Sequence, residues 1–256
     1  MSADPRPDRL VLLGSKGGPA LRPGGPWPSS SLLEFGGRNI LVDCGLGVTR
    51  GLADTGISLK ALDLVFITHL HSDHVLELGP LIHTAWTAGL AAPVTVFGPP
   101  GTGHYWQRFC QAMEFDIEIR IVDEGRPDIR DMVSIIEFGE GRVMEERDLK
   151  VSALRVDHPP VTDCFALRFE HAGQSVVFME ARCGNRAGLQ RFGHGRQMRR
   201  DPFPVVKGCL QRRRQEGRVG KPRQVARDDD EFPVAGAVLQ CCKLHAVLPL
   251  HGSVSA

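Results

Sequence analysis

The seven cysteines of this 256-residue chain form no C-x-x-C pair and are odd in number, which argues against a disulfide framework and points to free thiols. Long apolar runs are missing as well. Leu10 to Leu13 is far too short for a signal-peptide core or a membrane span, and the Met1 to Arg9 stretch is polar and Pro-rich. A cytoplasmic protein with no membrane partner is therefore expected. Nor is there an excess of charge: 31 basic residues against 30 acidic ones leave a formal net charge of +1. Nucleic-acid binders usually carry a strong basic excess, so composition argues against nucleic acid as a partner. No internal repeat is present. A hydrophobic share of 42% and a charged share of 24% belong to an ordinary soluble globular protein. A chain of this length can bury a full core, and it reads as a single domain over 1–256.

From Arg9 to Phe178 short apolar segments alternate with helical ones, punctuated by Gly and Pro. The pattern predicts strands at Leu10 to Leu13, Ser31 to Phe35, Asn39 to Asp43, Leu64 to Thr68, Val94 to Phe97, Ile117 to Val122, Val133 to Phe138, Leu149 to Val156, Phe165 to Phe169 and Ser175 to Phe178. Helices are predicted at Leu46 to Asp54, His74 to Ala88 and Gly103 to Met113. The short turns Phe35-Gly36-Gly37-Arg38 and His171-Ala172-Gly173-Gln174 suggest antiparallel hairpins, hence mixed sheets with helices outside. Beyond Phe178 the texture changes. The segment 181–232 is crowded with arginine, including Arg212-Arg213-Arg214, and closes on Asp228-Asp229-Asp230-Glu231; apolar order returns only in Val234 to Leu250.

The chemistry concentrates in Thr68-His69-Leu70-His71-Ser72-Asp73-His74, between an apolar strand and an amphipathic helix. Three imidazoles and a carboxylate at a strand end can converge on one point from a rigid support. Such ligands suit zinc, iron or manganese, and a site with open positions can hold a reactive water.

H-x-H-x-D-H after a strand, standing here as HLHSDH at 69–74, resembles the signature of the metallo-β-lactamase superfamily. Leu13-Gly14-Ser15, Leu41-Val42-Asp43-Cys44-Gly45, Val96-Phe97-Gly98-Pro99-Pro100-Gly101 and Val156-Asp157-His158-Pro159-Pro160-Val161 agree in order and spacing. The set looks most like the branch that contains ribonuclease Z and arylsulfatase-like hydrolases, and the likeness covers about residues 1–178. It implies an α/β fold of αββα layering with an incomplete or rearranged segment 179–256. It implies that His69, His71 and His158 hold one metal ion while Asp73 and His74 hold a second. Zinc is expected, one ion or two, with manganese or iron as alternatives. Asp73 and His71 take the catalytic roles in this reading, and Asp43 resembles a carboxylate that orients a ligating histidine. Paired cations acidify a water and polarise an ester. The implied activity is hydrolysis of a small-molecule ester: an aryl sulfate, a phosphodiester or phosphotriester, or a lactone. The alternatives are a metal-binding or interaction module without turnover and an iron-dependent oxidoreductase.

The resemblance breaks after Phe178. Relatives continue with Ser-Gly-Asp-Thr, whose aspartate bridges both metals, whereas this chain reads Met179-Glu180-Ala181-Arg182. Ala181 falls at the aspartate's place, and Glu180, one residue off, is the candidate replacement metal ligand, although that offset turns a strand side chain to the opposite face unless the backbone bulges. The Arg-rich stretch has the look of GC-rich coding DNA read in another frame. Sequencing the parent gene tests this hypothesis, which fails if no alternative frame encodes a Ser-Gly-Asp-Thr-like segment. A late ligand for the second ion is expected from His251, which closes Ala246 to Leu250, while His245 inside that run reads as structural. An uncovered sheet edge in such a second half would favour a homodimer. Gly98-Pro99-Pro100-Gly101-Thr102-Gly103 resembles a phosphate-binding loop, but His104 and Tyr105 stand where Lys and Ser or Thr belong. The basic run 186–227 has few interleaved aromatics for base stacking.

Overall fold

The computed structural model describes residues 8–179, together with the backbone of four later strands. The elements of 8–179 are β1 (Arg9–Gly14), β2 (Ser30–Phe35), β3 (Arg38–Val42), α1 (Val48–Asp54), β4 (Leu64–Phe66), α2 (Ser72–Val75), α3 (Leu78–Thr87), β5 (Val94–Gly98), α4 (Thr102–Ala112), α5 (Glu114–Glu124), α6 (Ile129–Met132), β6 (Val133–Glu137), β7 (Gly141–Glu146), β8 (Leu149–Arg155), β9 (Phe165–His171) and β10 (Gln174–Phe178). The later strands are β11 (Val205–Val206), β12 (Glu231–Pro233), β13 (Val238–Gln240) and β14 (His245–Val247). The first sheet runs β12-β1-β2-β3-β4-β5-β6, antiparallel as far as β3 and parallel from β3 to β6. The second runs β10-β9-β8-β7 and is antiparallel throughout.

The period of two in each strand decides the layering. Leu32, Leu41, Val65 and Val96 face one side of the first sheet, where they meet Leu52 of α1, Trp86 of α3, Trp106 of α4 and Ile117 of α5. Their neighbours Leu33, Ile40, Val42, Phe66 and Phe97 face the other side and pack on Phe165, Phe169 and Phe178 of the second sheet. Phe66 stacks on Phe97 at 4.7 Å between centroids and meets the edge of Phe169 at 5.0 Å. Helices, sheet and sheet are thus three of the four expected layers among the described residues. The mixed sheets and both predicted hairpins are present.

Two local readings are corrected, and one strand was not foreseen. Ile117 to Val122 lies in helix α5, not in a strand. Its apolar alternation imitates a strand, but Arg120 bridges Asp116 and Glu124 one turn away on either side, and Gly125 ends the helix in the left-handed region. The single helix predicted over His74 to Ala88 is two, because Glu77 turns its carboxylate back to accept hydrogen bonds from the amides of Gly47 and Thr49 at the start of α1. Strand β7 escapes the pattern because Gly141–Glu146 is a polar edge strand with few apolar residues to reveal it.

Candidate metal centre

The parallel strands present their carboxyl ends together, the usual place for a site in such sheets. Asp43 follows β3 directly and His69 lies three residues beyond β4. The last amide to reach β5 is that of Ile67, and the next one turns to a side chain. Ile67 N–H donates to Phe97 O at 2.8 Å, and Thr68 N–H donates to Asp43 Oδ1 at 2.8 Å. The predicted strand to Thr68 therefore ends at Phe66.

His69, buried, and His71, the residue that caps α2, then face His158 from the β8–β9 loop. His71 Nδ1 lies 3.1 Å from His69 Nε2 and 3.1 Å from His158 Nε2. One nitrogen of each ring falls within 4.8 Å of the other two. Three neutral imidazoles cannot aim lone pairs at one another at that separation without a proton or a cation between them. A tetrahedral ion with bonds of about 2.0–2.1 Å holds its ligand nitrogens about 3.4 Å apart, so the donor set fits a divalent metal.

Asp73 and His74 form a second group beside the first. His74 Nε2 is 3.7 Å from Asp73 Oδ2, and its ring lies 4.1 Å from that of His69. Both residues are buried. His74 Nδ1 lies 2.7 Å from Asp43 Oδ2, and since a carboxylate only accepts, the neutral ring carries its proton on Nδ1 and presents the Nε2 lone pair. Asp43 thus contacts His74, one of the two residues that the resemblance gives to a second metal. It does so from the left-handed region, φ 63°, a conformation that costs a non-glycine residue about 1 kcal/mol or more. Its carboxylate is fully engaged by Thr68 N, Thr68 Oγ1 and His74. The next residues wrap α2 closely: Cys44 N–H donates to His74 O at 2.6 Å, and a side chain on Gly45 would collide with Asp73 O at 2.5 Å.

Two contributors escape sequence reasoning. Thr68, whose hydroxyl also lies 3.1 Å from His69 Nδ1, ties Asp43 to the first histidine. A polar residue opening the histidine run was the available signal. The Gly18 amide donates to Asp73 Oδ2, and the Gly17-Gly18 pair marks a place where backbone can approach a side chain closely. The resemblance to a phosphate loop resolves differently: the amides of Gly101 and Gly103 donate, both at 2.9 Å, to Glu137 Oε1, so a carboxylate from β6 fills the anion cradle at the start of α4. Glu180 and His251 lie outside the described residues, as does the second half on which the homodimer expectation rested. His245 opens β14, of which only the backbone is described. Among the described residues no helix is long and apolar enough to cross a membrane.

The profile of the Metallo-beta-lactamase superfamily matches residues 24–162. Ribonuclease Z of Mycolicibacterium gilvum is 35% identical over 162 residues, 62% of this chain and 56% of its own length. Ribonuclease Z of Mycobacterium marinum is 35% identical over 171 residues, 66% of this chain and 61% of its own. The chain spans less than two thirds of these relatives. Among solved structures, a metallo-beta-lactamase fold protein from Bacillus subtilis, YhfI, superposes with a TM-score of 0.50 at 23% identity, covering 67% of this chain and 62% of that one. The short form of human tRNase Z superposes with a TM-score of 0.50 at 20% identity, covering 65% and 66%. These two likenesses establish the fold. The relatives overturn the argument from composition against a nucleic-acid partner: proteins a third identical to this chain are ribonucleases. Net charge was the wrong measure, because bound cations and a few local groups can meet a phosphodiester while the chain as a whole stays near neutral.

Proposed function

The chain belongs to the metallo-beta-lactamase superfamily, and from that premise we propose that it hydrolyses phosphodiester bonds of RNA with zinc as its metal. The observation that carries the reading is the convergence of His69, His71 and His158 on one point. In this reading those three hold the first ion, Asp73 and His74 hold the second, and the names of the relatives favour RNA over a small ester. A bound zinc would supply an acidified water and a Lewis acid for the phosphoryl oxygen. The chain's own residues do the positioning. Asp43 fixes the tautomer and aim of His74, and Thr68 locks Asp43 to the end of β4. The Gly18 amide holds Asp73 Oδ2, the oxygen nearest His74 Nε2.

The test uses the full chain, with elemental analysis for metal content and two substrates, a single-stranded RNA and methyl p-nitrophenyl phosphate. Both should be cleaved, cleavage should stop on chelation, and zinc should restore it; an aryl sulfate should be left intact. Protein that retains stoichiometric zinc and cleaves neither substrate would refute the proposal. It would favour a metal-binding module without turnover, the reading to which Ala181 at the place of the bridging aspartate lends support.

A further inference from the structure

A cavity of about 540 Å³ opens beside the histidine loop, a size within the range of small-molecule sites. It reaches that loop at Leu70, between His69 and His71, and at Val75, next to His74. Leu70 is 36% exposed although both neighbours in sequence belong to the histidine cluster. Phe109 completes an apolar floor, held by Trp106 stacked at 5.8 Å and by Gly79, where any side chain would strike its ring. The ring of Tyr105 lines the wall. Its hydroxyl is committed elsewhere, donating to Leu76 O at 2.9 Å and accepting from Gly79 N–H at 3.4 Å, so it offers the cavity a fixed aromatic surface.

The rim carries one guanidinium, that of Arg108. His104 and Arg108 lie one turn apart on α4 and line the same cavity, and α4 contains no acidic residue. The Arg108 side chain donates to neutral Gln111, at 3.0 Å, and no ion pair among the described residues neutralises it. An apolar, aromatic-lined cavity with a guanidinium that no carboxylate neutralises matches one kind of occupant, a planar base carrying a phosphate.

We propose that this cavity is a nucleotide subsite: it receives the base of a nucleotide next to the bond cleaved, against Leu70, Tyr105 and Phe109, while Arg108 pairs with that nucleotide's phosphate. The inference rests on the reading of the chain as an RNA phosphodiesterase, and it adds the element that selects nucleotides over other phosphate esters.

Calorimetric titration of the zinc-loaded full chain with adenosine 5′-monophosphate, ribose 5-phosphate and inorganic phosphate tests it. The wild type should bind the nucleotide about tenfold more tightly than ribose 5-phosphate, the ratio that stacking of one base supports. Arg108→Ala should weaken nucleotide binding about tenfold, and Arg108→Lys should recover part of it. Arg108 is exposed, so an unchanged melting temperature accompanies the loss. Equal affinities for nucleotide and ribose 5-phosphate, or an Arg108→Ala variant that binds the nucleotide like wild type, would overturn the proposal. Cleavage of methyl p-nitrophenyl phosphate by the same preparation is read separately. Its absence sinks the phosphodiesterase reading, whereas intact cleavage without nucleotide preference sinks only the subsite.

Discussion

The loops after β3 and β4 and the first turns of α4 stand at the same rim of the first sheet, under opposite conditions. In these loops and in α2, which follows β4, Asp43, Thr68, His69 and His74 are buried and bonded to one another. On α4, His104 and Arg108 are exposed, and Arg108 bonds to a single neutral neighbour. The first arrangement fixes atoms for chemistry, since removing any partner strands a buried polar group. The second leaves side chains free to meet a ligand. The contrast teaches that reaction and recognition occupy adjoining places here but rest on different physics.

The sharpest way to break the comparison is His71→Ala. Loss of a residue that orients a metal ligand typically costs 10–100-fold, so loss of a ligand itself should cost more than about 100-fold in RNA cleavage, with zinc content falling alongside. The melting temperature should barely move, because His71 is only partly buried. Full activity with full metal content would remove this histidine from the site. Asp43→Asn comes next. Asparagine tolerates the left-handed backbone and keeps the shape, so the change isolates the carboxylate; activity should fall about 10–100-fold. An unchanged rate would show that His74 needs no orienting. On the α4 side, Glu137→Ala uncovers the amides of Gly101 and Gly103 and should lower stability by about 1 kcal/mol in chemical denaturation. Stability equal to wild type would mean that water replaces the carboxylate without penalty.

The smallest expected effect is a pH dependence. Burial lowers the His83 pKa from its usual 6.5, against the pull of Asp116, whose Oδ2 lies 2.9 Å from Nε2. The unfolded chain then binds more protons than the folded one near that pH. His83 therefore contributes full stability above about pH 6.5 and loses it as pH falls toward the lower folded value. Melting curves from pH 7.5 down to 5 should show this slope, and His83→Gln should flatten it. A slope unaltered by the substitution would assign it to other groups.

The buried chemistry was the legible part. HLHSDH at a strand end, His158 beyond β8 and Asp43 after β3 are residue types whose spacing has few other uses, and the structure brings them together. The α4 side was not legible in the same way. Its helix was predicted within a residue or two, but which turn faces a cavity depends on Leu70 and Val75, far away in sequence. Ile117, Ile119 and Ile121 misled because alternation in a helix that exposes one side looks like a strand; Phe115 and Val122, 81% and 77% exposed, show how little of α5 is buried. Glu137 could not be foreseen as the occupant of the glycine loop, since the contact spans thirty-six residues.

Gly101 joins the two regions mechanically. Its backbone sits at φ 102°, and a side chain there would press on Leu70 Cδ1 at 2.9 Å. The start of α4 and the middle of the histidine loop therefore approach each other at a position whose backbone favours glycine. A bulkier residue at 101 would strain the left-handed backbone at the start of α4 and push aside the side chain of Leu70, which stands between His69 and His71. Selection for a new substrate would be expected to leave this glycine alone and to work on the exposed turns of α4 instead.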